Sequence, residues 1–285
     1  MAWSLQMLPS LSANQFHLWV KLIEERTGIQ LLIQQKPWLE SQLNHRLRER
    51  GLNDYDQYYQ LILDGLDGHL EWACLIDRIA VKETSFFRHR DSIDCVRRHL
   101  QNAINNQTLN DSFEVWSLGC ATGEEPYSLA MAINDCFELA RLHPYYGITA
   151  MDISTSALKV GRRGIYSPRK LELISLDEKL RYFTPQNDGS YQIAAKLRDR
   201  VCFSRTNIIH TRNLPEVKLD VIFCQNVLIY FRRWLRRDLL NALVDRLKPG
   251  GLLVVGLGET ADWDHPHMQR SGDEQVQAYI RAVQQ

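Results

Sequence analysis

Two adjacent acidic residues lie where a predicted buried strand gives way to a helix. The segment Glu114-Val-Trp-Ser-Leu-Gly-Cys-Ala-Thr-Gly-Glu-Glu-Pro-Tyr-Ser-Leu-Ala-Met131 starts with an apolar run and continues through a loop of small residues. It ends in a helix whose first turn carries Pro126. A strand, a small-residue loop and a helix N-terminus form the position at which α/β sheets hold a nucleotide-like ligand. Gly119 and Gly123 leave the backbone open to such a ligand.

The two acids, Glu124 and Glu125, indicate what kind of ligand this is. Because carboxylates repel phosphates, the loop is poorly suited to a pyrophosphate. A ligand with a cationic group and no phosphate fits better, and S-adenosylmethionine has a sulfonium, an ammonium and an adenosine. We expect Glu125 to face the cationic end, whereas Glu124 is also explained as a residue that starts the helix.

Polar residues follow two later strands of the pattern. Asp152 ends an apolar run about thirty residues after the glycine loop, where an acid can accept hydrogen bonds from both ribose hydroxyls. Asp152 could instead cap the next helix, although Ser154 and Thr155 already serve that need. Asn207 follows another strand, and its amide could read an adenine edge or form a turn, which is the commoner role of asparagine.

A further polar pair follows the buried strand predicted at 219–225. Gln225 and Asn226 lie at the carboxyl end of that strand, where open α/β sheets bind ligands, and Tyr230 follows four residues after Asn226. The basic run that comes next is better explained as a solvated helix face than as a site. Its members are Arg232, Arg233, Arg236 and Arg237.

Two other basic features each have a structural and a functional explanation. The aromatic pair in Thr84-Ser-Phe-Phe-Arg88 is typical of a core, but the segment could cover the ligand with Arg88 pairing a carboxylate. On spacing alone the structural explanation is favoured. The helix predicted over 36–50 carries arginines near its C-terminus, which favour the helix macrodipole without a partner. An acidic helical partner would explain them equally well. They are Arg46, Arg48 and Arg50.

The elements that must position these residues change in character along the chain. Residues 12–73 have helical periodicity, so we predict an all-α N-terminal domain over 1–80. A linker with a connecting helix is predicted over 81–110. From 111 to 285 strands and helices alternate, which predicts an α/β domain with a mostly parallel sheet covered on both faces. The strands are expected at 114–118, 147–152, 200–206, 219–225 and 251–257, and the helices at 124–140, 155–162 and 232–247.

The stretch from about 166 to 200 does not fit this alternation. Asn187-Asp188-Gly189 separates two short runs within it and is typical of a hairpin turn. We therefore expect a small β insertion that hangs off the larger sheet.

Composition excludes several classes of protein. Of the 285 residues 45% are hydrophobic and 24% are charged, and the formal net charge of zero argues against a nucleic-acid partner recognised through overall charge. The six cysteines have no zinc-type spacing, so we expect reduced thiols in a cytoplasm and no metal. We find no signal-peptide pattern and no apolar run long enough to span a bilayer, so we expect no direct membrane insertion.

Taken together, these motifs resemble the CheR family of chemotaxis-type protein-glutamate O-methyltransferases. The resemblance covers nearly the full chain, in the family's order and spacing. It rests on Thr84-Ser-Phe-Phe-Arg88, Gly123-Glu-Glu-Pro-Tyr-Ser128, Asp152, Gly164-Ile-Tyr166, Asn207, Phe223-Cys-Gln-Asn-Val-Leu-Ile-Tyr-Phe231 and Leu247-Lys-Pro-Gly-Gly-Leu252. The chain departs from the family at Lys82, where many members have Asn, and at Gln225, where Arg or a similar residue is usual. Gly258-Glu259 replaces the Ser-x-Glu of many members.

The resemblance implies a Rossmann-like S-adenosylmethionine methyltransferase domain with a small β-subdomain insertion, preceded by an all-α N-terminal domain. It implies that the cofactor contacts are Thr84, Arg88, Glu125, Asp152, Asn207, Ile208, Asn226 and Val227. Arg88 and Tyr230 are implied to lie nearest the transfer and are the catalytic candidates. The presence of Lys82 leaves the cofactor contact at that position open.

The implied reaction transfers a methyl group to glutamate side chains of a methyl-accepting chemoreceptor. A glutamate with a pKa of about 4.3 is ionised at neutral pH and can attack the sulfonium methyl without a general base. We expect Arg88 and Tyr230 to orient this carboxylate. Two alternatives stay open. One is a small-molecule methyltransferase, which would have no use for the N-terminal arginines. The other is a non-catalytic module that binds S-adenosylmethionine or scaffolds receptors, against which the presence of both Arg88 and Tyr230 argues.

The resemblance also suggests a partner. The glutamate-rich cytoplasmic helices of a receptor could dock electrostatically on Arg46, Arg48 and Arg50. The pathway is either flagellar chemotaxis or a pilus-linked twitching system, and the divergent ends of the chain favour a PilK-like protein of the second kind. Some family members hold a receptor's C-terminal peptide at the β insertion, which the sequence does not decide here. We expect a cytoplasmic monomer.

Overall fold

Residues 10–261, 263–271 and 274–283 are described by the computed structural model. The chain divides after Val81 into two units, of which the first is helical and the second is α/β. This confirms the predicted fold class. Residues 82–110, predicted as a linker with a helix, group with the second unit. Among the described residues, no helix is long and apolar enough to cross a membrane.

The described residues of the first unit, from 10 to 81, form four α-helices: α1 (Ala13–Thr27), α2 (Lys36–Arg50), α3 (Tyr55–Leu63) and α4 (Gly65–Ile79). Local signals set several of their ends. Ser12 forms a capping box with Gln15 at the start of α1, and Gly51 ends α2 in the left-handed conformation. Trp19 stacks on Tyr58 in the core, with ring centroids 5.4 Å apart. Such burial of large aromatic residues is a main source of stability for a unit of this size.

The second unit contains the remaining elements. In chain order they are α5 (Arg90–Asn105), β1 (Ser112–Leu118), α6 (Glu124–Ala140), β2 (Tyr145–Asp152), α7 (Thr155–Arg163), β3 (Ile165–Tyr166), α8 (Leu176–Tyr182), β4 (Phe183–Pro185), β5 (Tyr191–Ile193), α9 (Ala195–Arg198), β6 (Val201–Arg205), β7 (Leu219–Cys224), α10 (Arg233–Arg246), β8 (Leu247–Val255), β9 (Met268–Arg270) and β10 (Gln277–Arg281).

Seven of these strands form one sheet in the order β6-β2-β1-β7-β8-β10-β9. The strands β6, β2, β1, β7 and β8 pair in parallel, whereas β10 and β9 pair antiparallel at one edge. In this order β2 lies on one side of β1 and β7 lies on the other, so the strand order reverses direction at β1. The carboxyl ends of β1, β2 and β7 therefore meet at the switch point, where α/β sheets bind ligands.

The predicted insertion forms a separate three-stranded antiparallel sheet in the order β3-β5-β4. The hairpin prediction is confirmed, because Pro185 pairs with Tyr191 on either side of the predicted turn. Gly189 lies in that turn with φ +81, a conformation that favours glycine.

Candidate active site

The loop after β1 lies tightly against the ends of two neighbouring strands. The backbone N–H groups of Gly119 and Cys120 donate to the carbonyl of Met151 at 2.8 and 3.0 Å. Gly119 has φ +73, and a Cβ atom there would lie 2.1 Å from Val227 Cγ2. A side chain at position 119 is thus excluded both by backbone conformation and by the residue after β7.

Asp152, at the carboxyl end of β2, connects this loop to the next helix. Its Oδ2 accepts the N–H of Ala121 at 2.8 Å, and its Oδ1 accepts the N–H of Ser154 at 2.8 Å. The side chain of Ser154 in turn caps α7. Burial raises the pKa of Asp152, and the backbone donors and Lys82 oppose that rise. Each carboxylate oxygen can accept a second hydrogen bond, so the predicted ribose contact is compatible with this geometry.

Of the adjacent acids Glu124 and Glu125, it is Glu125 that lies near the other titratable groups at the carboxyl edge of the sheet. Its Oε1 accepts a hydrogen bond from Ser117 Oγ in β1 at 2.7 Å. Burial raises the pKa of Glu125 to about 8, and the charges of Glu259 and Asp152 add to the rise. The hydrogen bond from Ser117 and the charge of Arg88 oppose it. Glu125 therefore lies in a site with excess negative charge, which a cation would complement.

Glu124 has a different role. Its side chain is fully buried, and its Oε1 pairs with Lys170 Nζ at 2.8 Å. The other oxygen accepts Thr122 Oγ1 at 2.6 Å. Lys170 also donates to the carbonyl of Thr84 at 2.8 Å. Glu124 thus holds the insertion and the Thr84 segment against the start of α6, which supports the structural explanation of this acid.

The segment Thr84-Ser-Phe-Phe-Arg88 combines the two predicted roles. Phe86 is fully buried, and its ring packs edge-to-face on Tyr166 and Phe183 at centroid distances of 4.9 and 5.4 Å. Arg88 is exposed and donates to the carbonyl of Glu83 at 3.0 Å. The Arg88 charge lowers the pKa of both Glu125 and Tyr230. The aromatic pair anchors the segment, and the arginine lies near two of the predicted site residues.

The turn after β7 carries Asn226 and Tyr230. Asn226 has φ +58, and its Nδ2 lies 3.1 Å from His89 Nε2. Tyr230 ends a single turn of 3₁₀ helix and is partly buried. Gln225 points elsewhere, since its Nε2 donates to Ser92 Oγ at 2.8 Å and to the carbonyl of Val255 at 3.2 Å. Gln225 therefore joins α5 to the sheet.

Asn207 and Ile208 follow β6 at the neighbouring strand end. The Oδ1 of Asn207 accepts the N–H of Ile209 at 3.2 Å, which is the turn-forming role considered above. Ile208 is 8% exposed. The adenine contact of these two residues stays a prediction.

The three arginines of α2 are not equivalent. Arg46 donates to both oxygens of Glu71 at 2.7 and 2.8 Å, and Tyr58 donates to the same carboxylate at 2.7 Å. Arg50, one turn later, contacts Asp67. Arg48 lies about 200° around the helix from Arg46 and is exposed. The guanidiniums of Arg46 and Arg50 both pair with acids of the helical unit, whereas Arg48 is exposed, so the predicted docking role fits Arg48 best.

Comparison with known proteins identifies the family. The family model described as "CheR methyltransferase, SAM binding domain" matches residues 82–277, and "CheR methyltransferase, all-alpha domain" matches residues 14–80. The chain belongs to the CheR methyltransferase family. It is 32% identical over 253 residues to the chemotaxis protein methyltransferase of Salmonella typhimurium, covering 88% of this chain and 85% of that one. For the Escherichia coli protein the identity is 31% over 264 residues, covering 92% and 88%. For the Borreliella burgdorferi protein it is 31% over 244 residues, covering 85% and 86%.

The residues of this CheR methyltransferase fit its cofactor, S-adenosylmethionine. The carboxyl edge of the sheet gathers three acids, Glu125, Asp152 and Glu259, and burial raises the pKa of each. Repulsion by the charges of Glu259 and Asp152 raises the pKa of Glu125 further. A ligand with an ammonium and a sulfonium relieves that repulsion. Gly119 and Gly123, which flank the loop, both have positive φ, a conformation that favours glycine.

The sequence pattern around Ser117, Glu259 and Lys170 of this CheR methyltransferase is weak, so none of the three was predicted as a site residue. Ser117 is a polar residue inside a buried strand, which is a usable signal, and it donates to Glu125. Glu259 follows β8 at the same edge of the sheet as Asp152 and Asn226. Lys170 had no distinguishing pattern, because its partners Glu124 and Thr84 are far away in the chain.

Cofactor binding by this CheR methyltransferase is expected to depend on pH through Glu125. With a pKa of about 8 in the free protein, this carboxyl must lose a proton when the cationic ligand binds at lower pH. The affinity should fall up to tenfold per unit as the pH decreases from 8 toward the lower pKa of the complex. Isothermal titration calorimetry between pH 6 and 9.5 measures this dependence. Glu125→Gln should bind weakly at every pH, and an unchanged pH dependence in that variant would contradict the assignment.

Proposed function

We propose that this enzyme methylates glutamate side chains of a chemoreceptor-like protein and so produces glutamate methyl esters. The observation that carries the proposal is the position of Arg88. It lies on a segment anchored by the fully buried Phe86 and by Lys170 at the Thr84 carbonyl, where its charge lowers the pKa of both Glu125 and Tyr230. A guanidinium and a phenol next to a cation-binding acid can hold a carboxylate beside the cofactor's cationic centre. The relatives named chemotaxis protein methyltransferases support a substrate in chemotaxis signalling.

The chain's own residues need only bind and orient the two reactants. S-adenosylmethionine, when bound, supplies an electrophilic methyl group on a sulfonium. A substrate glutamate is already ionised near neutral pH, so no group has to remove a proton from it. Burial raises the pKa of Tyr230 more than the charge of Arg88 lowers it, and the hydroxyl therefore stays protonated and able to donate. Arg88 and Tyr230 then donate hydrogen bonds to the carboxylate oxygen that does not react.

Orientation of this kind can supply most of the catalysis. Holding two reactants in a productive geometry contributes about 7–11 kcal/mol in well-aligned systems. The buried anchor Phe86 and the contact of Lys170 with the Thr84 carbonyl keep the Arg88 segment in place. A rigid support matters here because orientation of the two reactants is the enzyme's main contribution in this proposal.

The helical unit supplies the docking surface in this proposal. Arg48 is exposed on α2, and Arg50 is partly exposed. A glutamate-rich receptor helix would approach this surface electrostatically, with a strong dependence on salt. The assignment to a pilus-linked pathway rests only on the divergent ends of the chain and stays part of the proposal.

Charge reversal on α2 should separate docking from folding. Arg48→Glu is expected to raise the KM for receptor about five- to tenfold at low salt, because a repulsive contact replaces an attractive one, and to leave the melting temperature nearly unchanged. Arg46→Ala should instead lower the stability by removing the nearer cation of the buried Glu71, which would keep the Tyr58 hydroxyl and the more distant Arg50 as partners. Arg98→Glu, on the exposed face of α5, is the matched control. Equal KM values for Arg48→Glu and Arg98→Glu would refute docking at Arg48.

The proposed function is tested directly by following the methyl group. The enzyme and S-adenosylmethionine with a labelled methyl group are incubated with membranes that contain candidate receptors, and the receptors are digested for mass spectrometry. The expected result is a 14 Da increase on glutamate that disappears in mild base, as an ester does, and that is absent with Arg88→Ala. Label found only on small molecules, or on residues other than glutamate, would overturn the proposal.

A further inference from the structure

We propose that Glu259 is a positioning residue for methyl transfer, whose carboxylate holds the turn carrying Asn226 and Tyr230 in its working geometry. The proposal deepens the proposed function and rests on it for the role of Tyr230. Glu259 lies four residues after the end of β8 and is only 2% exposed. An acid buried to this degree must be paired with donors, and those donors define its role.

The donors are backbone N–H groups from two different strand ends. Glu259 Oε2 accepts the N–H of Gly256 at 2.8 Å, and Oε1 accepts the N–H of Ile229 at 3.3 Å. Burial raises the pKa of Glu259, and the N–H groups of Gly256, Ile229, Val227 and Asn226 all oppose that rise. Several N–H groups converging on one anion form a backbone nest, and here the anion is a side chain of the protein itself.

The turn after β7 is closed partly by its own backbone, since the N–H groups of Tyr230 and Phe231 donate to the carbonyls of Val227 and Leu228 at 3.2 and 3.0 Å. Asn226 has φ +58, which is unfavourable for a residue with a Cβ atom. The 3₁₀ helix that follows spans only Leu228–Tyr230. Its N–H groups cannot pair within a longer helix, and buried N–H groups need partners. Glu259 supplies such a partner to the turn, while Arg236 Nε donates to the carbonyl of Phe231 at 2.8 Å at the far end.

The backbone immediately after β8 leaves space for this carboxylate. A Cβ atom at Gly256 would lie 2.5 Å from Glu259 Oε2 and 2.7 Å from its Cδ. Gly256 does not have a positive φ, so the backbone conformation does not account for the absence of a side chain. The absence of a side chain at Gly256 therefore leaves the space that the Glu259 carboxylate occupies.

Glu259 also acts on Glu125 through its charge. The groups that bear on Glu125 are Ser117, Glu259, Arg88 and Asp152, and the charge of Glu259 is the largest carboxylate contribution to its raised pKa. Removing this charge should lower the pKa of Glu125 and so move the pH midpoint of cofactor binding downward. A residue that only filled space would not change that midpoint.

Three variants separate geometry from charge. Glu259→Gln keeps the size and removes the charge. Glu259→Asp keeps the charge and shortens the reach. Gly256→Ala leaves Glu259 intact and displaces its carboxylate. Glu216→Gln, at an exposed loop position, is the control for loss of one acid. The measurements are S-adenosylmethionine affinity by calorimetry from pH 6 to 9.5 and single-turnover methyl transfer to receptor-containing membranes at saturating cofactor.

All three variants at the nest are expected to slow single-turnover transfer at least tenfold. They should weaken cofactor binding less than fivefold at pH 9, where Glu125 is ionised in every variant. Only Glu259→Gln should lower the pH midpoint of cofactor binding, by at least half a unit. Glu216→Gln should match the wild type in both measurements. Wild-type transfer rates in Glu259→Gln and Gly256→Ala would overturn the positioning role.

The experiment has separate controls for the folding of each variant and for the proposed function. Circular dichroism and thermal unfolding with saturating cofactor show whether each variant is folded, and Gly256→Ala carries the test if Glu259→Gln does not fold. If the wild-type enzyme transfers no methyl group to any receptor, the proposed function fails. In that case hydrogen–deuterium exchange of the backbone amides at 226–230 decides the proposal, because it needs no substrate. The Ile229 N–H, which donates to Glu259, should exchange faster in Glu259→Gln than in the wild type, and equal exchange rates would overturn the positioning role.

Discussion

Replacing Arg88 by alanine is expected to lower the single-turnover rate of methyl transfer by about 100- to 1,000-fold. Loss of one well-placed donor to a reacting carboxyl or oxyanion has an effect of this size in other enzymes. The affinity for S-adenosylmethionine should change only a few fold, because Glu125 and Asp152 keep their positions and their backbone and side-chain donors. Quenched-flow methylation with labelled cofactor, together with calorimetry, measures the two quantities separately.

Tyr230→Phe should give a smaller loss of rate of the same kind, about 10- to 100-fold. The phenol contributes a neutral donor, whereas Arg88 contributes a charge-assisted one. Arg98→Ala, at an exposed position on α5, should have the rate and the affinity of the wild type. If Tyr230→Phe lost cofactor affinity and rate in equal proportion, Tyr230 would be a cofactor contact and not a group that orients the substrate.

Replacing Lys170 by methionine is expected to destabilise the second unit by about 2–3 kcal/mol. The change leaves the fully buried carboxylate of Glu124 without its cation. The loss should be smaller than for a fully buried pair, because Lys170 is 39% exposed and water screens its charge. The melting temperature should fall by about 5–10 °C. Differential scanning calorimetry and urea unfolding measure both quantities.

A double-mutant cycle shows how much of the stability lost in Lys170→Met comes from the ion pair with Glu124 and how much comes from other effects of the substitution. Glu124→Gln removes the buried charge, so Lys170→Met should cost much less stability in that background. The Lys170→Met variant should also transfer methyl groups more slowly, since Lys170 donates to the carbonyl of Thr84 near Arg88. An equal loss of stability in both backgrounds would show that Lys170 does not act through Glu124.

Local signals predicted the secondary structure well where caps and glycines mark the ends. Helix α6 was predicted at 124–140 and is Glu124–Ala140, and α2 has the predicted bounds with Gly51 at its end. The strands β9 and β10 were missed, because each is short and is defined by its pairing with β8 and with each other. Pairing between distant segments leaves little trace in local periodicity.

The roles of neighbouring residues could not be predicted in the same way. Glu124 and Glu125 are adjacent in the chain, yet one pairs with Lys170 and the other faces Ser117 and Glu259. Helix geometry already separates Arg48 from Arg46, since residues two apart do not share a face. It does not reveal that Glu71 engages Arg46.

By itself the sequence determined the α/β class, the small β insertion, the family and its cofactor, because these depend on residue types at short spacing. Only the tertiary structure decided which acids are free to meet a ligand and which are held by a partner. Pairing and burial depend on residues far away in the chain, such as Lys170 for Glu124 and Ile229 for Glu259. The pKa of an acid follows from that environment and not from its neighbours in sequence.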